Sequence, residues 1–258
     1  MTVHFDNFKF AGDKDTDLIV SAFPKISEVT ITYDFKGDHI MKSMDLFIVH
    51  NDFTSWLIRL LNKLNDLRFS YFQLSFSLSK GIPDKDWKID KKRDGTYYFE
   101  GFKTESDEIN KFLFDFFSEC FYYHYFSSID IIYKTLNKFF LVNISDEERN
   151  KFNHKVREGI KPVNPNLYTV LSEFGGTIKP SRFRRNSFTH NYAVNEIDFR
   201  SKQILNDNKK ITRLMDPSYT TSDQIFSEIQ KMIELYIPVL RFIEEVFVKD
   251  EGKIFFKV

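Results

Sequence analysis

The sequence contains a single cysteine, Cys120, so it can form no disulfide within the chain, and neither a zinc ribbon nor a CxxC redox motif can be built from it. That thiol lies in an aromatic run and is expected in the core. Neither sign of charge is in excess, with 37 basic residues against 37 acidic ones. The balance excludes wholesale electrostatic capture of nucleic acid and confines any such binding to a local patch. No stretch approaches the roughly 20 consecutive apolar residues that span a bilayer. Met1 to Phe10 has neither the basic start nor the apolar run of a signal peptide, so a cytoplasmic protein without membrane contact is expected. Gly175-Gly176 is not followed by Lys-Ser or Lys-Thr and reads as a helix stop, not a phosphate-binding loop. Internal repeats, low-complexity tracts and long linkers are also missing. What is present is apolar mass: 42% of the 258 residues are hydrophobic, including 30 Phe, enough to fill the core of one large or two ordinary domains.

The pattern divides the chain near residue 103. In Glu28 to Asp34 the apolar Val29, Ile31 and Tyr33 alternate with polar residues, as in a half-buried strand. Phe53, Trp56, Leu57, Leu60, Leu61 and Leu64 then recur at helical spacing behind the capping residues Asn51 and Asp52. Strand alternation resumes from Phe69 to Leu78, and Asp94-Gly95 has the chemistry of a two-residue hairpin turn between Trp87 to Asp90 and Thr96 to Phe99. Residues 1–103 are therefore expected to be an α+β region, whose role the pattern does not reveal.

Residues 104–258 read as an all-α bundle of about four helices. Ile109, Phe112, Leu113, Phe116, Phe117, Cys120 and Phe121 start a helical stripe that continues through Ile132, Leu136 and Phe139. Ser145-Asp-Glu-Glu148 has the form of a capping box opening a second helix, with Gly159 and Pro162 as its stop. Leu167 to Phe174 is a short helical segment closed by Gly175-Gly176, and Pro180 precedes a further run from Ser181 to about Asn206. Ile225, Ile229, Met232, Ile233, Tyr236, Leu240, Ile243 and Phe247 mark a long final helix, kinked at Pro238.

Chemistry concentrates in Arg182 to Tyr192. Arg182, Arg184 and Arg185 fall one or two turns before His190, in a chain with only eleven arginines and six histidines. On a helix Asn186 stands one turn below His190, while Arg185 shares its side with Thr189 and Tyr192. Such a set suits a phosphodiester. Guanidinium forks hold phosphate oxygens and stabilise developing negative charge, and an imidazole can move a proton near neutral pH. RNA brings its own nucleophile, the ribose 2′-OH, so neither a metal nor another cofactor is called for. Arg182 and Arg184 are read as contacts to RNA phosphate, since arginine at a helix start opposes the dipole and invites an anion. Arg149-Asn150-Lys-Phe-Asn-His154 repeats the pattern and makes Arg149 and His154 the alternative catalytic pair. His124, among aromatic neighbours, is assigned to packing, and the Phe residues to core.

Arg185-Asn186-Ser-Phe-Thr-His190 resembles the signature of the HEPN superfamily, an arginine followed by a polar residue and, shortly after, a histidine on a late helix of a small bundle. The resemblance implies a metal-independent endoribonuclease that works as a homodimer with facing motifs. By similarity, His190 transfers the proton, Arg185 stabilises the phosphate and Asn186 orients the site. It also implies roles known in that superfamily: toxins, abortive infection and other anti-phage defence, with an antitoxin or regulatory protein as partner. Tyr192 stands where some HEPN toxins carry a tyrosine modified by a nucleotidyltransferase. The alternative is an HEPN-like module that binds nucleic acid or protein without catalysis.

Overall fold

The structure is a computed structural model, which describes residues 8–31, 44–84, 90–91, 97–98, 103–145, 147–148, 151–190, 201–206, 209–214 and 219–250. Its frame is three long helices: α2 (Met44–Ser79), α3 (Glu105–Phe139) and α7 (Ser222–Asp250). With 36 and 35 residues, α2 and α3 are each about 50 Å long at 1.5 Å per residue. They pack antiparallel. Lys138 pairs with Asp52 at 2.8 Å at one end, and Phe69 meets Phe117 edge to face toward the other. α7 runs parallel to α3 and lays Ile225, Ile229, Met232, Tyr236, Leu240, Ile243 and Phe247 into the same core. The Tyr125 hydroxyl donates to the Met232 carbonyl, and Ser128 bonds the Tyr236 hydroxyl at 2.7 Å, so these two buried phenols are satisfied within the bundle.

Shorter elements complete the body. α1 (Asp13–Ala22) and a 3₁₀ turn (Pro24–Glu28) cover one end of α2 and α7, where Phe23 packs on Tyr71 and Phe226. α4 (Phe152–Ile160), α5 (Pro165–Thr177) and α6 (Lys179–His190) line α3 and α7 on another side. Two antiparallel hairpins are the β-structure among the described residues: β1 (Asp90–Lys91) with β2 (Tyr97–Tyr98), and β3 (Ser201–Asn206) with β4 (Lys209–Leu214). No described helix is long and apolar enough to cross a membrane.

The expected α+β N-terminal region is not what forms. Val29 to Ile31 lies outside any strand and Tyr33 outside the described residues. Phe69 to Leu78 is not a strand either, but the last turns of α2. Its serines explain the misreading. Ser70 and Ser77 donate to the carbonyls of Asp66 and Gln73 four residues back, at 2.9 and 3.0 Å. These two hydroxyls, which look like part of the wet face of a strand, are thus buried and satisfied inside a helix. The helix also starts upstream of Asn51 and Asp52, which therefore do not cap it. The β1–β2 ladder of two residues flanks Asp94-Gly95, itself outside the described residues, and is too small to make the region α+β. The division near residue 103 falls between α2 and α3, whose buried faces meet in one core.

Three expectations for residues 104–258 also change. Among the described residues there, five helices, not about four, are found, together with the β3–β4 hairpin, which stands where the end of the run after Pro180 was expected to be helical. Ser145 does not open a helix: its carbonyl and hydroxyl accept from Glu148 and Glu147 in a turn, and α4 begins at Phe152. Gly175 and Gly176 lie within the last turn of α5 instead of ending it. Cys120 is half-buried, not core; burial, with the adjacent Glu119 carboxylate, pushes its thiol up.

Candidate active site

α6 carries the arginine-rich segment, and α5 hands it on almost without a break. Asn164 caps α5 by accepting from the Leu167 N–H at 3.0 Å, Pro165 fills the first turn, and the buried Ile178 joins the two helices. The Arg182 N–H bonds back to the Ile178 carbonyl at 3.0 Å, so the junction leaves that donor satisfied. α6 lies antiparallel along α3: Arg182 stands 5.1 Å from the Phe126 ring centroid, and Phe188 contacts Tyr122 at 5.3 Å.

Each expected site residue has a distinct position. Arg182 is exposed, with its guanidinium resting over the Phe126 ring. Arg184 turns inward, its Nε 2.6 Å from Oε2 of Glu228 on α7. Arg185 and Asn186 are half-buried neighbours, with Arg185 Nη1 donating to Asn186 Oδ1 at 3.1 Å. His190 is the final residue of α6, one turn beyond Asn186, so Arg182, Asn186 and His190 follow one stripe of the helix. Tyr192 and Arg149 lie outside the described residues. His154 sits on α4 with its side chain 65% exposed, 4.0 Å from Glu158.

The inner side of α6 is electrostatically organised around α3. Burial pushes the Tyr122 hydroxyl well up; the Glu228 carboxylate adds to this and Arg184 opposes it. Tyr133, about three turns along, is raised by burial as well, with the Arg157 and Arg182 guanidiniums pulling it back and the Asp130 carboxylate adding to the rise. The arrangement leaves Arg182 facing outward and commits Arg184 to the protein. An exposed guanidinium and a half-buried one on a helix that ends in a histidine can hold a phosphodiester and move a proton at it.

A family model described as Cthe2314-like HEPN matches residues 56–249. The chain belongs to the HEPN superfamily. No curated protein and no solved structure matches it. The HEPN match starts within α2 and takes in α3 to α7, hence both Arg-x4-His segments.

Sequence reasoning missed the residues that flank α6 in this HEPN chain. Arg157 of α4 reaches the Tyr133 hydroxyl and lies 5.9 Å from the Tyr168 ring of α5; Lys161 stands 4.9 Å from the same ring. A signal was available: His154, Arg157 and Lys161 recur at intervals of three and four, which places them on one face of a helix.

Proposed function

We propose that this HEPN protein is an endoribonuclease that cleaves RNA without a metal, in which His190 takes the proton of a ribose 2′-OH as that oxygen attacks the adjacent phosphorus. The P–O5′ bond breaks, leaving a 2′,3′-cyclic phosphate on one fragment and a 5′-hydroxyl, which regains a proton, on the other. Arg185 stabilises the charge that develops on the phosphoryl oxygens, and Asn186, bonded to Arg185, orients it. Arg182 contacts a neighbouring phosphate. Arg184, paired with Glu228, holds α6 in place, and its charge is largely spent within the protein. The observation that carries the reading is that Arg182, Arg185 and Asn186 share one helix that ends at His190, within a chain matched along most of its length by an HEPN family model.

The reading extends to a homodimer and to a toxin or defence role restrained by a partner protein, with Tyr192 as the residue that such a partner would modify. Phe112, Phe116 and Tyr123 recur at helical spacing along α3 and are 50–56% exposed, and Phe183 on α6 is 64% exposed. A second copy of the chain covering these rings would bring two α6 helices together.

Incubation of the purified protein with a single-stranded RNA in EDTA tests the chemistry. Fragments ending in 2′,3′-cyclic phosphate, absent when the substrate carries 2′-deoxy sugars, support it. RNA that binds but stays intact favours the non-catalytic binding module, since the same cations serve binding without proton transfer.

A further inference from the structure

His154 and Arg157 on α4 share one face with Lys161, the helix's C-cap residue. Arg157 is half-buried beneath it: its guanidinium reaches the Tyr133 hydroxyl, faces the Tyr168 ring at 5.9 Å, and lies 3.8 Å from the point where a Cβ on Gly175 would stand. Its Nε is buried without a hydrogen-bond partner. Lys161 stands over the same Tyr168 ring at 4.9 Å. Arg182 completes the group from α6, since its charge and that of Arg157 both act on Tyr133. Among the described residues none of these three cations forms an ion pair. The carboxylate on this side of α3, Asp130, instead accepts from Asn153 at 2.8 Å.

Three cations around two tyrosines outnumber the carboxylate that also acts on Tyr133, Asp130, and a half-buried guanidinium such as that of Arg157 is ordinarily paired, so a purely structural cluster explains them poorly. They fit an anion supplied from outside, held by a bidentate guanidinium and a mobile ammonium above a ring that restricts water. We propose that Arg157 and Lys161, floored by Tyr168, form a second phosphate subsite for the RNA strand that is cleaved at α6, with Arg182 bridging the two subsites. The ligand class rests on the ribonuclease reading of α6. The subsite itself rests on α3, α4 and α5.

The test is binding of a fluorescein-labelled, 2′-O-methyl single-stranded RNA of about 12 nucleotides, which cannot be cleaved, to the full chain by fluorescence anisotropy at several salt concentrations. Arg157→Gln and Lys161→Gln are each expected to weaken binding about 3- to 10-fold and to flatten the plot of log affinity against log salt by about 0.7 for each phosphate that is no longer neutralised. Lys14→Gln on α1 should change neither. Lys161 is exposed, so its variant decides the matter if Arg157→Gln proves unstable. Unchanged affinity and slope in Lys161→Gln and in a folded Arg157→Gln would overturn the subsite, as would a wild-type protein that does not bind RNA. The two readings separate cleanly. Cleavage by wild type with binding indifferent to Arg157 and Lys161 removes the subsite and leaves the nuclease. Binding that depends on both, without cleavage, keeps the subsite and removes the nuclease.

Discussion

Arg184 and Glu228 meet across α6 and α7 with nitrogen and oxygen 2.6 Å apart, and each side chain is only about a quarter exposed (25% and 23%). Water screens such a pair less than a surface one, so it can hold the arginine-rich helix against the bundle. Glu228→Gln and Arg184→Met should each lower the unfolding free energy by about 1.5–3 kcal/mol in urea denaturation. Because they remove the same interaction, the double variant should cost much less than the sum. Additive losses would show that the two residues act independently.

Gly159 lies inside α4, where alanine would ordinarily gain about 1 kcal/mol over glycine. Here a Cβ would stand 2.1 Å from Cγ1 of Val142, on the loop that Asn137 pins by two hydrogen bonds to Ile144. Gly159→Ala is therefore expected to destabilise by about 1–3 kcal/mol despite its better propensity. Val142→Ala in the same chain should recover most of that loss. Denaturation midpoints of the three proteins check both statements.

Asp84 organises the start of α7 from a distance in sequence. Its carboxylate accepts from the Ser222 N–H at 2.8 Å, from the Ser222 hydroxyl at 3.2 Å and from the Tyr219 hydroxyl. Asp84→Ala should cost about 0.5–2 kcal/mol, the usual range for loss of a helix cap. Hydrogen exchange should be faster at the first amides of α7 and unchanged at Tyr236 and beyond.

His124 supplies the pH dependence. Burial first, and the Lys63 ammonium 3.2 Å away second, hold its imidazole below the ordinary value, with Asp66 partly opposing them. The unfolded chain therefore binds this proton at higher pH than the folded one. The associated stability is complete above the unfolded imidazole pKa of about 6.5 and is lost as pH falls through the depressed folded value. Between about pH 7 and about pH 5, Tm of wild type should fall further than Tm of His124→Gln. Equal falls would mean that other groups carry the acid sensitivity.

Much of the helical frame was legible in the sequence. The stripes in α3 and α7 are long, and their apolar positions keep one period from end to end. Short alternation was the weak point: in α2, Ser70 and Ser77 mimic a strand because the helix carbonyls that satisfy them are invisible in a hydropathy pattern. Ser145 and Glu148 have the right spacing for a capping box, but the chain closes a turn on Ser145 before α4 begins. β3 and β4 pair with two residues between them, the polar Asp207-Asn208, which stand just past the end of a run read as helical to about Asn206. At the candidate site, local density of arginine was legible, whereas the destination of each arginine was not. Arg184 finds Glu228 only through tertiary packing, and Arg157 meets Tyr133 and Tyr168 from three different helices.

The central claim is that His190, at the end of α6, moves the proton in RNA cleavage. Wild type, His190→Ala and His154→Ala should be compared on one RNA in EDTA, with circular dichroism confirming equal folding. The account predicts loss of about 100-fold or more in His190→Ala, in keeping with removal of a general base, and near wild-type cleavage in His154→Ala. Full activity in His190→Ala with loss in His154→Ala would contradict it and move the chemistry to α4.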